Sequence, residues 1–365
     1  MTAIEGEREA RSPKAINLAL QGGGAHGAFT WGVLDRLLEE PRIRIEAISG
    51  TSAGAMNAVV LADGLMRGGA EGARRRLRLF WDEVGKAAML SPVQRGPFNI
   101  LAGDWCLDTS LGFFFFDAFT RTLSPYDFNP LNINPLKDIL ERTVDFKSVR
   151  ACDQVRLFIA ATNVETGRVR VFDGQTLTAD MVMASACLPT LFQAVEIEGQ
   201  HYWDGGYMGN PVLFPFFYAS RSSDILIVQI NPITRQGVPR SAHEIMNRAN
   251  EISFNASLLS ELRSVDFVRR MLAEGRLDAK RYRALNIHII GLGQRSDCGD
   301  ASSKFNVEQS FLEHLFGEGR RAAGDWLEAN YEAIGYRSTV DIRKMFLGDG
   351  YERMAKTIPP RPEAG

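Results

Sequence analysis

The chain lacks the features that mark membrane-spanning, secreted or nucleic-acid-binding proteins. No apolar stretch is long enough to span a bilayer, and residues 1–8 lack the apolar core of a signal peptide. The net charge is only −2 over 365 residues, which gives no support for nucleic-acid binding. These absences predict a cytoplasmic protein that is at most peripheral to the membrane and has no nucleic-acid partner.

Cysteine and histidine are also scarce. The chain has four cysteines without a Cys-x-x-Cys pair or metal-ligand spacing: Cys106, Cys152, Cys187 and Cys298. We therefore expect reduced thiols and neither a metal site nor a cofactor. None of the five histidines has a setting that marks a catalytic base: His26, His201, His243, His288 and His314. His288 lies in an apolar run, where a hydrogen-bonded core histidine is the favoured interpretation.

Strand-like and helical patterns alternate along the chain. Strands are predicted near residues 16–20, 43–48, 155–162, 169–172, 193–197, 202–203, 224–230 and 285–290. Helices are predicted near residues 69–86, 135–143, 178–187, 240–275 and 307–333. The alternation predicts βαβ units, and hence an α/β fold with a mostly parallel sheet covered by helices on both faces.

The most informative motif is Gly50-Thr51-Ser52-Ala53-Gly54, which follows a strand-like run and opens an Ala-rich helical segment. A Gly-x-Ser-x-Gly turn in this context holds its serine in a strained conformation at the carboxyl edge of a sheet. Because the bare pattern is short, an ordinary Gly/Ser loop is the alternative interpretation. The context favours a nucleophile elbow with Ser52 as the nucleophile.

Two further motifs accompany the elbow. Upstream, a strand-like run leads into Gln21-Gly22-Gly23-Gly24-Ala25-His26-Gly27. Three consecutive glycines expose backbone N–H groups, which at the start of a helix can stabilise an oxyanion. Downstream, a strand-like run ends in Asp204-Gly205-Gly206. That sequence is either a simple turn or a carboxylate directed into a cleft.

In this order and spacing, the three motifs resemble those of the patatin-like phospholipase family, in its bacterial form. Gly22 to Gly27 is similar to the family's oxyanion loop, Gly50 to Gly54 to its serine elbow, and Asp204-Gly205-Gly206 to its aspartate motif. Ala184-Ser185-Ala186-Cys187-Leu188-Pro189 and Asn210-Pro211 are similar to family segments on either side of the aspartate. The resemblance covers about residues 15–215. His26 departs from it, because the family more often has Arg or Lys there.

The resemblance implies a Ser52–Asp204 dyad in a three-layer α/β sandwich, with an oxyanion held by the amides of Gly22, Gly23 and Gly24. Five further glycines would support the motifs: Gly27, Gly50, Gly54, Gly205 and Gly206. Asp204 would accept the Ser52 proton during attack on an ester, and water would later release the acyl group. The implied enzyme is a lipid acyl hydrolase of phospholipase A or lysophospholipase type. It would need no cofactor and would act on phospholipids or related lipids at a membrane or micelle surface.

The chain is expected to comprise a tail (1–14), a patatin-like catalytic domain (15–231) and a mainly helical extension (232–365) packed on the same sheet. Residues 87–134 are rich in Pro, Gly, Asn and Phe without a sustained period, which predicts an irregular insertion. The insertion contains Phe113-Phe114-Phe115-Phe116. These residues are interpreted either as a buried plug or as an acyl-chain pocket or membrane-contacting lid.

Other classes of function stay open. Gly22-x-Gly24-x-x-Gly27 after a strand also has the spacing of a dinucleotide-binding turn. The second strand, however, ends in Ser49-Gly50-Thr51-Ser52, without the acidic residue that would hold a ribose. A non-catalytic lipid binder is a further alternative, against which the presence of both Ser52 and Asp204 speaks. A thioesterase or transacylase would use the same dyad.

Overall fold

A computed structural model of the protein describes residues 12–88, 94–96, 99–100, 104–107, 110–293 and 301–348. Most of the predicted tail, Cys298 and the end of the predicted extension lie outside the described residues. The described chain is built around one eight-stranded sheet.

The strands are β1 (Lys14–Leu20), β2 (Ile43–Gly50), β3 (Arg156–Asn163), β4 (Val169–Asp173), β5 (Val195–Ile197), β6 (Gln200–Asp204), β7 (Asp224–Gln229) and β8 (Asn286–Gly291). Their order in the sheet is β5-β6-β3-β2-β1-β7-β8, and β4 also pairs with β3. The neighbouring strands β3, β2, β1, β7 and β8 pair in parallel. Strands β4, β5 and β6 pair antiparallel with their neighbours. The mostly parallel sheet agrees with the sequence prediction.

The helices are α1 (Gly27–Leu38), α2 (Ala53–Ala88), α3 (Leu111–Thr122), α4 (Pro125–Phe128), α5 (Pro135–Thr143), α6 (Phe146–Arg150), α7 (Ala179–Ser185), α8 (Phe214–Ala219), α9 (Ala242–Ala273) and α10 (Gln309–Asn330). Helix α2 is interrupted at Gly68 and Gly69, whose backbone angles are not helical. Among the helices of the described residues, none combines the length and the apolar character needed to cross a bilayer.

The sheet is buried on both faces. Ile16, Leu18 and Leu20 of β1 contribute to one apolar core together with α1, α2 and α10, whereas Ala19 belongs to a second core with α8 and α9. Neighbouring residues of a strand point to opposite faces, and each fully buried Leu or Ile contributes about 1.5–3 kcal/mol. Two covering layers of helices therefore make the protein a three-layer α/β sandwich, as predicted.

The prediction of irregular structure across residues 87–134 is wrong for residues 111–122, which form α3. Its first turn is capped by Ser110, whose Oγ accepts a 3.3 Å hydrogen bond from the N–H of Phe113. Phe113 is buried, whereas Phe114 and Phe115 are 62% and 67% exposed. Four adjacent phenylalanines point in all directions around a helix, so this run alone does not indicate which face is buried.

Candidate functional site

The candidate nucleophile lies in the turn between β2 and α2. Ser52 has a φ of +54°, a conformation that L-residues rarely adopt outside special turns. The turn is closed by a 2.8 Å hydrogen bond from the Gly54 N–H to the Thr51 carbonyl. Helix α2 begins at the next residue, so the positive end of the helix dipole lies beside Ser52. The predicted strand-turn-helix geometry of the elbow is therefore present.

Asp204 reaches the elbow through the pairing of β3. On one edge, β3 pairs first with β2, where Gly50 faces Ile159, and then with β6, where Asp204 faces Ala161. Strand β4 occupies the other edge over the same stretch. Beyond the end of β2, strand β6 therefore takes its position beside β3. Its last residue is Asp204, which brings the carboxyl group to the serine.

The Asp204 carboxyl group is buried, with only 3% of the residue exposed. Its Oδ1 accepts a 2.7 Å hydrogen bond from the Gly206 N–H, and the Ser52 side chain lies beside the carboxyl group. Burial raises the pKa of Asp204 to about 7, although the Gly206 N–H and the Ser52 side chain favour the charged form. A carboxylate with a pKa near neutrality is suited to exchange a proton with a serine hydroxyl.

One of the three N–H groups predicted to bind the oxyanion already has an acceptor within the protein. The Gly22 N–H donates a 2.7 Å hydrogen bond to Oδ1 of Asn210, so it is already engaged within the protein. In the part of the chain that the structure describes, the N–H groups of Gly23 and Gly24 have no protein acceptor. A Cβ atom at Gly22 would lie 2.7 Å from Cβ of Ser52, so only glycine permits the loop to pass this close. The loop can thus offer the N–H groups of Gly23 and Gly24, whereas the predicted donor Gly22 already bonds to Asn210.

The other motif glycines lie where the backbone passes very close to backbone or side-chain atoms of other residues. A Cβ atom at any of them would come within 3 Å of a neighbouring atom: Gly27, Gly50, Gly54, Gly205 and Gly206. At Gly54 that neighbour is the Leu20 carbonyl oxygen at the end of β1. These glycines support the site by permitting contact between the three motifs.

None of the histidines with a described side chain contacts the Ser52–Asp204 pair. Nε2 of His26 lies 2.8 Å from Oγ of Ser303, and burial lowers the pKa of His26 to about 3. His26 is therefore neutral at physiological pH. His288 is a buried core residue whose Nε2 lies 2.9 Å from Oδ1 of Asp224, as the sequence predicted.

The four phenylalanines differ in their surroundings: two pack against Phe305, and the other two are exposed. Phe113 and Phe116 lie 6.0 Å and 6.3 Å from the Phe305 ring, measured between ring centroids, so they pack beside the glycine-rich loop. The Lys304 carbonyl oxygen, one residue earlier, would clash with a Cβ atom at Gly24. Phe114 and Phe115, in contrast, project from the surface.

Residues 110–134, here called the cap segment, also contact the Asp204 side of the site. The Gln193 side chain donates a 2.8 Å hydrogen bond to the Asn129 carbonyl, and the Tyr126 hydroxyl accepts a 3.3 Å bond from the Ala194 N–H. Through the Phe305 contacts and these bonds, the cap segment touches both sides of the site. Among its described side chains, seven large apolar ones are exposed: Phe114, Phe115, Phe119, Leu123, Tyr126, Leu131 and Ile133.

Sequence reasoning missed a buried polar network behind the glycine-rich loop. Oε1 of Gln21 accepts 2.9 Å hydrogen bonds from the N–H groups of both Ile230 and Asn231. Nδ2 of Asn231 donates a 2.8 Å bond to the Gly22 carbonyl, and Nζ of Lys304 donates a 2.7 Å bond to Oδ1 of Asn231. The available signal was the position of Gln21 and Asn231, polar residues directly beyond two apolar strands.

A cleft unrelated to the candidate site lies at the amino ends of the strands. Its volume is about 440 Å³, and its lining includes Arg44, Arg156 and Tyr218. Arg44 and Arg156 lie at the amino ends of β2 and β3, whereas Ser52 follows the carboxyl end of β2. Active sites of open α/β sheets lie at the carboxyl ends of the strands. The cleft is therefore not the candidate site.

A family model described as patatin-like phospholipase matches residues 18–220, more than half of the chain. The chain belongs to the patatin-like phospholipase family. The matched region of this patatin-like protein contains the glycine-rich loop, the elbow and Asp204. Members of the family act on lipids, so the family assignment supports lipid hydrolysis in general terms. A search among curated protein sequences finds no match.

Several solved structures are similar at low sequence identity. VipD from Legionella pneumophila is 14% identical with a TM-score of 0.41, and the match covers 87% of this chain and 67% of VipD. The ExoU–SpcU complex from the type III secretion system of Pseudomonas aeruginosa gives 14% identity and a TM-score of 0.40, covering 94% of this chain and 60% of that one. A further structure of the type III effector protein ExoU is 17% identical with a TM-score of 0.36, and the match covers 87% of this chain and 53% of that one. These similarities are too weak to carry functional conclusions.

Proposed function

We propose that this protein is a serine acylhydrolase that cleaves fatty acyl esters of phospholipids or related lipids through a Ser52–Asp204 dyad. The observation that carries the proposal is the placement of Ser52, held at positive φ in the elbow, beside the buried Asp204 carboxyl group. The family assignment supports a lipid substrate. Phospholipase A and lysophospholipase activity would use the same residues.

The reaction would proceed in two halves. In the first, Asp204 accepts the hydroxyl proton of Ser52 while the serine oxygen attacks the ester carbonyl carbon. The tetrahedral oxyanion would be held by the N–H groups of Gly23 and Gly24, and expulsion of the alcohol, which receives the proton, leaves an acyl-enzyme. In the second, Asp204 accepts a proton from water, which attacks the acyl-enzyme. The fatty acid is released, and Ser52 regains its proton.

A lone aspartate is normally a weak base, because its ordinary pKa of about 3.9 leaves little affinity for a proton at neutral pH. Burial removes this difficulty by raising the pKa of Asp204 to about 7. The base is then half ionised near neutrality, where general-base catalysis is most effective. No histidine is required in this scheme.

We further propose that the cap segment contacts the lipid. Its exposed phenylalanines offer apolar surface beside the site, and such clusters are typical of lipid-contacting surfaces. Phe113 and Phe116 would contribute to the wall nearest the glycine-rich loop, and Phe114 and Phe115 would meet an acyl chain or the membrane or micelle surface. The free thiols of Cys152 and Cys187 support a cytoplasmic location for this reaction.

The proposal is tested with Ser52→Ala and a fluorophosphonate probe, which labels activated serines. We expect wild-type protein to be labelled at Ser52, and Ser52→Ala to lose both labelling and hydrolysis of a short-chain p-nitrophenyl ester. Ser49→Ala is the matched control, because Ser49 is buried three residues earlier and its hydroxyl has no partner within the described residues. Ester hydrolysis by Ser52→Ala within a few-fold of wild type would contradict the proposal.

A further inference from the structure

A charged side chain is connected to the glycine-rich loop by two short hydrogen bonds. Nζ of Lys304 donates to Oδ1 of Asn231 at 2.7 Å, and Nδ2 of Asn231 donates to the Gly22 carbonyl at 2.8 Å. The Gly22 carbonyl and the Gly23 N–H belong to the same peptide group. The chain of contacts therefore begins at an ammonium group and ends at an N–H group that has no protein acceptor in the described part of the chain.

The direction of both hydrogen bonds is fixed by the chemistry of their end groups. A lysine ammonium group can only donate, and a backbone carbonyl can only accept. The Asn231 amide must therefore turn its oxygen to Lys304 and its nitrogen to Gly22. The Asn231 backbone is held in place by the 2.9 Å bond from its N–H to Oε1 of Gln21, which is itself buried. These hydrogen bonds, from Lys304 through Asn231 to the Gly22–Gly23 peptide group, are here called the relay. The relay is thus oriented from Lys304 toward Gly23.

Such a chain changes the strength of the last donor. A hydrogen bond to a peptide carbonyl withdraws electron density from the peptide nitrogen, and successive hydrogen bonds polarise one another in a low-dielectric interior. A charged donor at the start makes the first bond stronger than one between neutral groups. The partial positive charge on the Gly23 hydrogen is therefore largest when Lys304 is protonated.

We infer that Lys304 is a positioning residue of this site, which acts through Asn231 and the Gly22 carbonyl to make the Gly23 N–H a stronger donor to the oxyanion formed at Ser52. The inference rests on the proposed function, because it assigns Gly23 to the oxyanion. It extends that function to the segment after residue 300, which the sequence did not connect with catalysis. Lys304 does not touch the substrate.

Lys304 has an electrostatic setting in which it can lose its charge within an accessible pH range. The charged groups that act on it are Glu251 of α9, which favours the ammonium form, and Arg235, which disfavours it. His26 also lies near Lys304 and is neutral. Burial is the largest effect and lowers the pKa of Lys304 to about 8. The relay should therefore weaken as the pH rises through about 8.

The first test measures the relay without requiring activity. Labelling with ¹³C-carbonyl glycine and ¹⁵N-glycine selects the amides of glycines preceded by glycine, which in this chain are Gly23, Gly24, Gly69 and Gly206. We expect the Gly23 amide signal to titrate near pH 8 in wild type and to lose this step in Lys304→Gln. The Gly206 N–H bonds to Asp204 and should titrate near pH 7 in both proteins, whereas Gly69, at the break in α2, is the internal control.

The second test measures the kinetic consequence. Lys304→Gln retains a donor for Asn231 and removes only the charge, so we expect kcat at pH 7 to fall roughly 5- to 20-fold with KM within about twofold, less than the loss of a whole oxyanion donor. The decline of wild-type kcat above pH 8 should disappear in this variant, whose profile stays at the lower level. Lys304→Arg should retain most of the rate, and Lys137→Gln, at an exposed ion pair with Asp180, should behave as wild type.

The outcomes separate the inference from the proposed function. If wild type hydrolyses no ester but Gly23 titrates in dependence on Lys304, the proposed function fails and the polarising relay stands. A Gly23 signal that titrates identically in wild type and Lys304→Gln would overturn the relay, whatever the activity. Wild-type kcat in a Lys304→Gln protein with an unchanged melting temperature would overturn its catalytic role.

Discussion

Oγ of Ser185 accepts a 2.9 Å hydrogen bond from the backbone N–H of Ser52. Ser185 ends α7 and is fully buried, so this contact fixes the elbow from a third element besides β2 and α2. A non-glycine residue at positive φ costs about 1–3 kcal/mol and persists only where its surroundings hold it. Ser185 is therefore part of what keeps the Ser52 hydroxyl directed at Asp204.

Ser185→Ala should lower kcat by about 10-fold with little change in KM, because the Ser52 N–H loses its acceptor and the strained turn can relax. The buried unsatisfied N–H should also lower the free energy of unfolding by about 1–3 kcal/mol. Steady-state kinetics and urea denaturation measure the two effects. Ser264→Ala removes a hydroxyl that bonds only to its own helix and should change neither. Unchanged kcat in Ser185→Ala would show that the elbow does not depend on this bond.

Asp204→Asn should lower the rate of ester hydrolysis by at least ~10², because the amide keeps the shape of the side chain and cannot accept the serine proton. Substitution of His243, His288 or His314 by Ala should leave most of the activity, apart from a folding defect at His288, which is buried. His26→Ala should have an intermediate effect through its contact with Ser303. A histidine variant that is folded by circular dichroism and as inactive as Ser52→Ala would contradict the dyad.

The sequence was sufficient to predict the sheet and the three motifs because each is a local pattern. The elbow at Ser52 follows the apolar strand β2, and Asp204 ends a strand-like run. The antiparallel strand β6 reaches the end of β2 only through its pairing with β3, which no local pattern reveals. The engagement of the Gly22 N–H by Asn210 could not be predicted from spacing, since it joins residues far apart in the chain. Lys304 was missed for the same reason.

The cap segment shows a different limit of sequence reasoning. Periodicity identifies a helix only when one face is apolar and the other polar. In α3 the buried Phe113 is followed by the exposed Phe114 and Phe115, so the run of phenylalanines obscured the helical period, although Ser110 was a suitable N-cap.

The pH dependence of activity should follow Asp204. As the pH falls through about 7, Asp204 becomes protonated and can no longer act as a base, so kcat/KM should decrease up to tenfold per pH unit below that value. Glu261 of α9 is the matched control, because burial also raises its pKa to about 7. Its carboxylate accepts the Leu213 and Phe214 N–H groups at the start of α8. Glu261→Gln should leave this acidic limb in place. If the acidic limb disappears in Glu261→Gln, the limb belongs to Glu261 and its assignment to Asp204 is wrong.

The same pKa predicts how stability depends on pH. The folded-state pKa of Asp204 is raised above its unfolded value of about 3.9, so the folded protein binds more protons between pH 4 and 7. The free energy of unfolding should therefore fall as the pH rises through this window and level off above pH 7. Asp204→Asn should raise the melting temperature relative to wild type at pH 8 and much less at pH 4. An equal effect at both pH values would contradict the raised pKa.

Activity should persist in excess chelator. Within the described residues, no three His, Cys, Asp or Glu side chains lie close enough to form a metal site, and the dyad mechanism assigns no step to a metal. Assays with and without EDTA should give the same kcat. A large loss that calcium restores would count against the dyad.

The exposed phenylalanines of the cap segment should affect activity on aggregated lipid more than activity on a soluble ester. Phe114→Ser combined with Phe115→Ser should lower activity on long-chain phospholipid vesicles about 10-fold or more and leave hydrolysis of a soluble short-chain ester within twofold. The reason is that these side chains are mostly exposed, so their loss removes apolar surface for lipid and little packing. Vesicle co-sedimentation measures the binding directly.

Two variants give this prediction its contrast. Tyr218→Ser removes an aromatic side chain that is 87% exposed at the amino ends of the strands, and it should change neither activity. Phe113→Ser removes a buried ring and should lower the melting temperature and both activities together, since loss of a buried Phe costs up to about 3–5 kcal/mol. If the Phe114 and Phe115 substitutions also reduce both activities equally and lower the melting temperature, the cluster is a structural plug and the lipid-contact role of the cap segment is wrong.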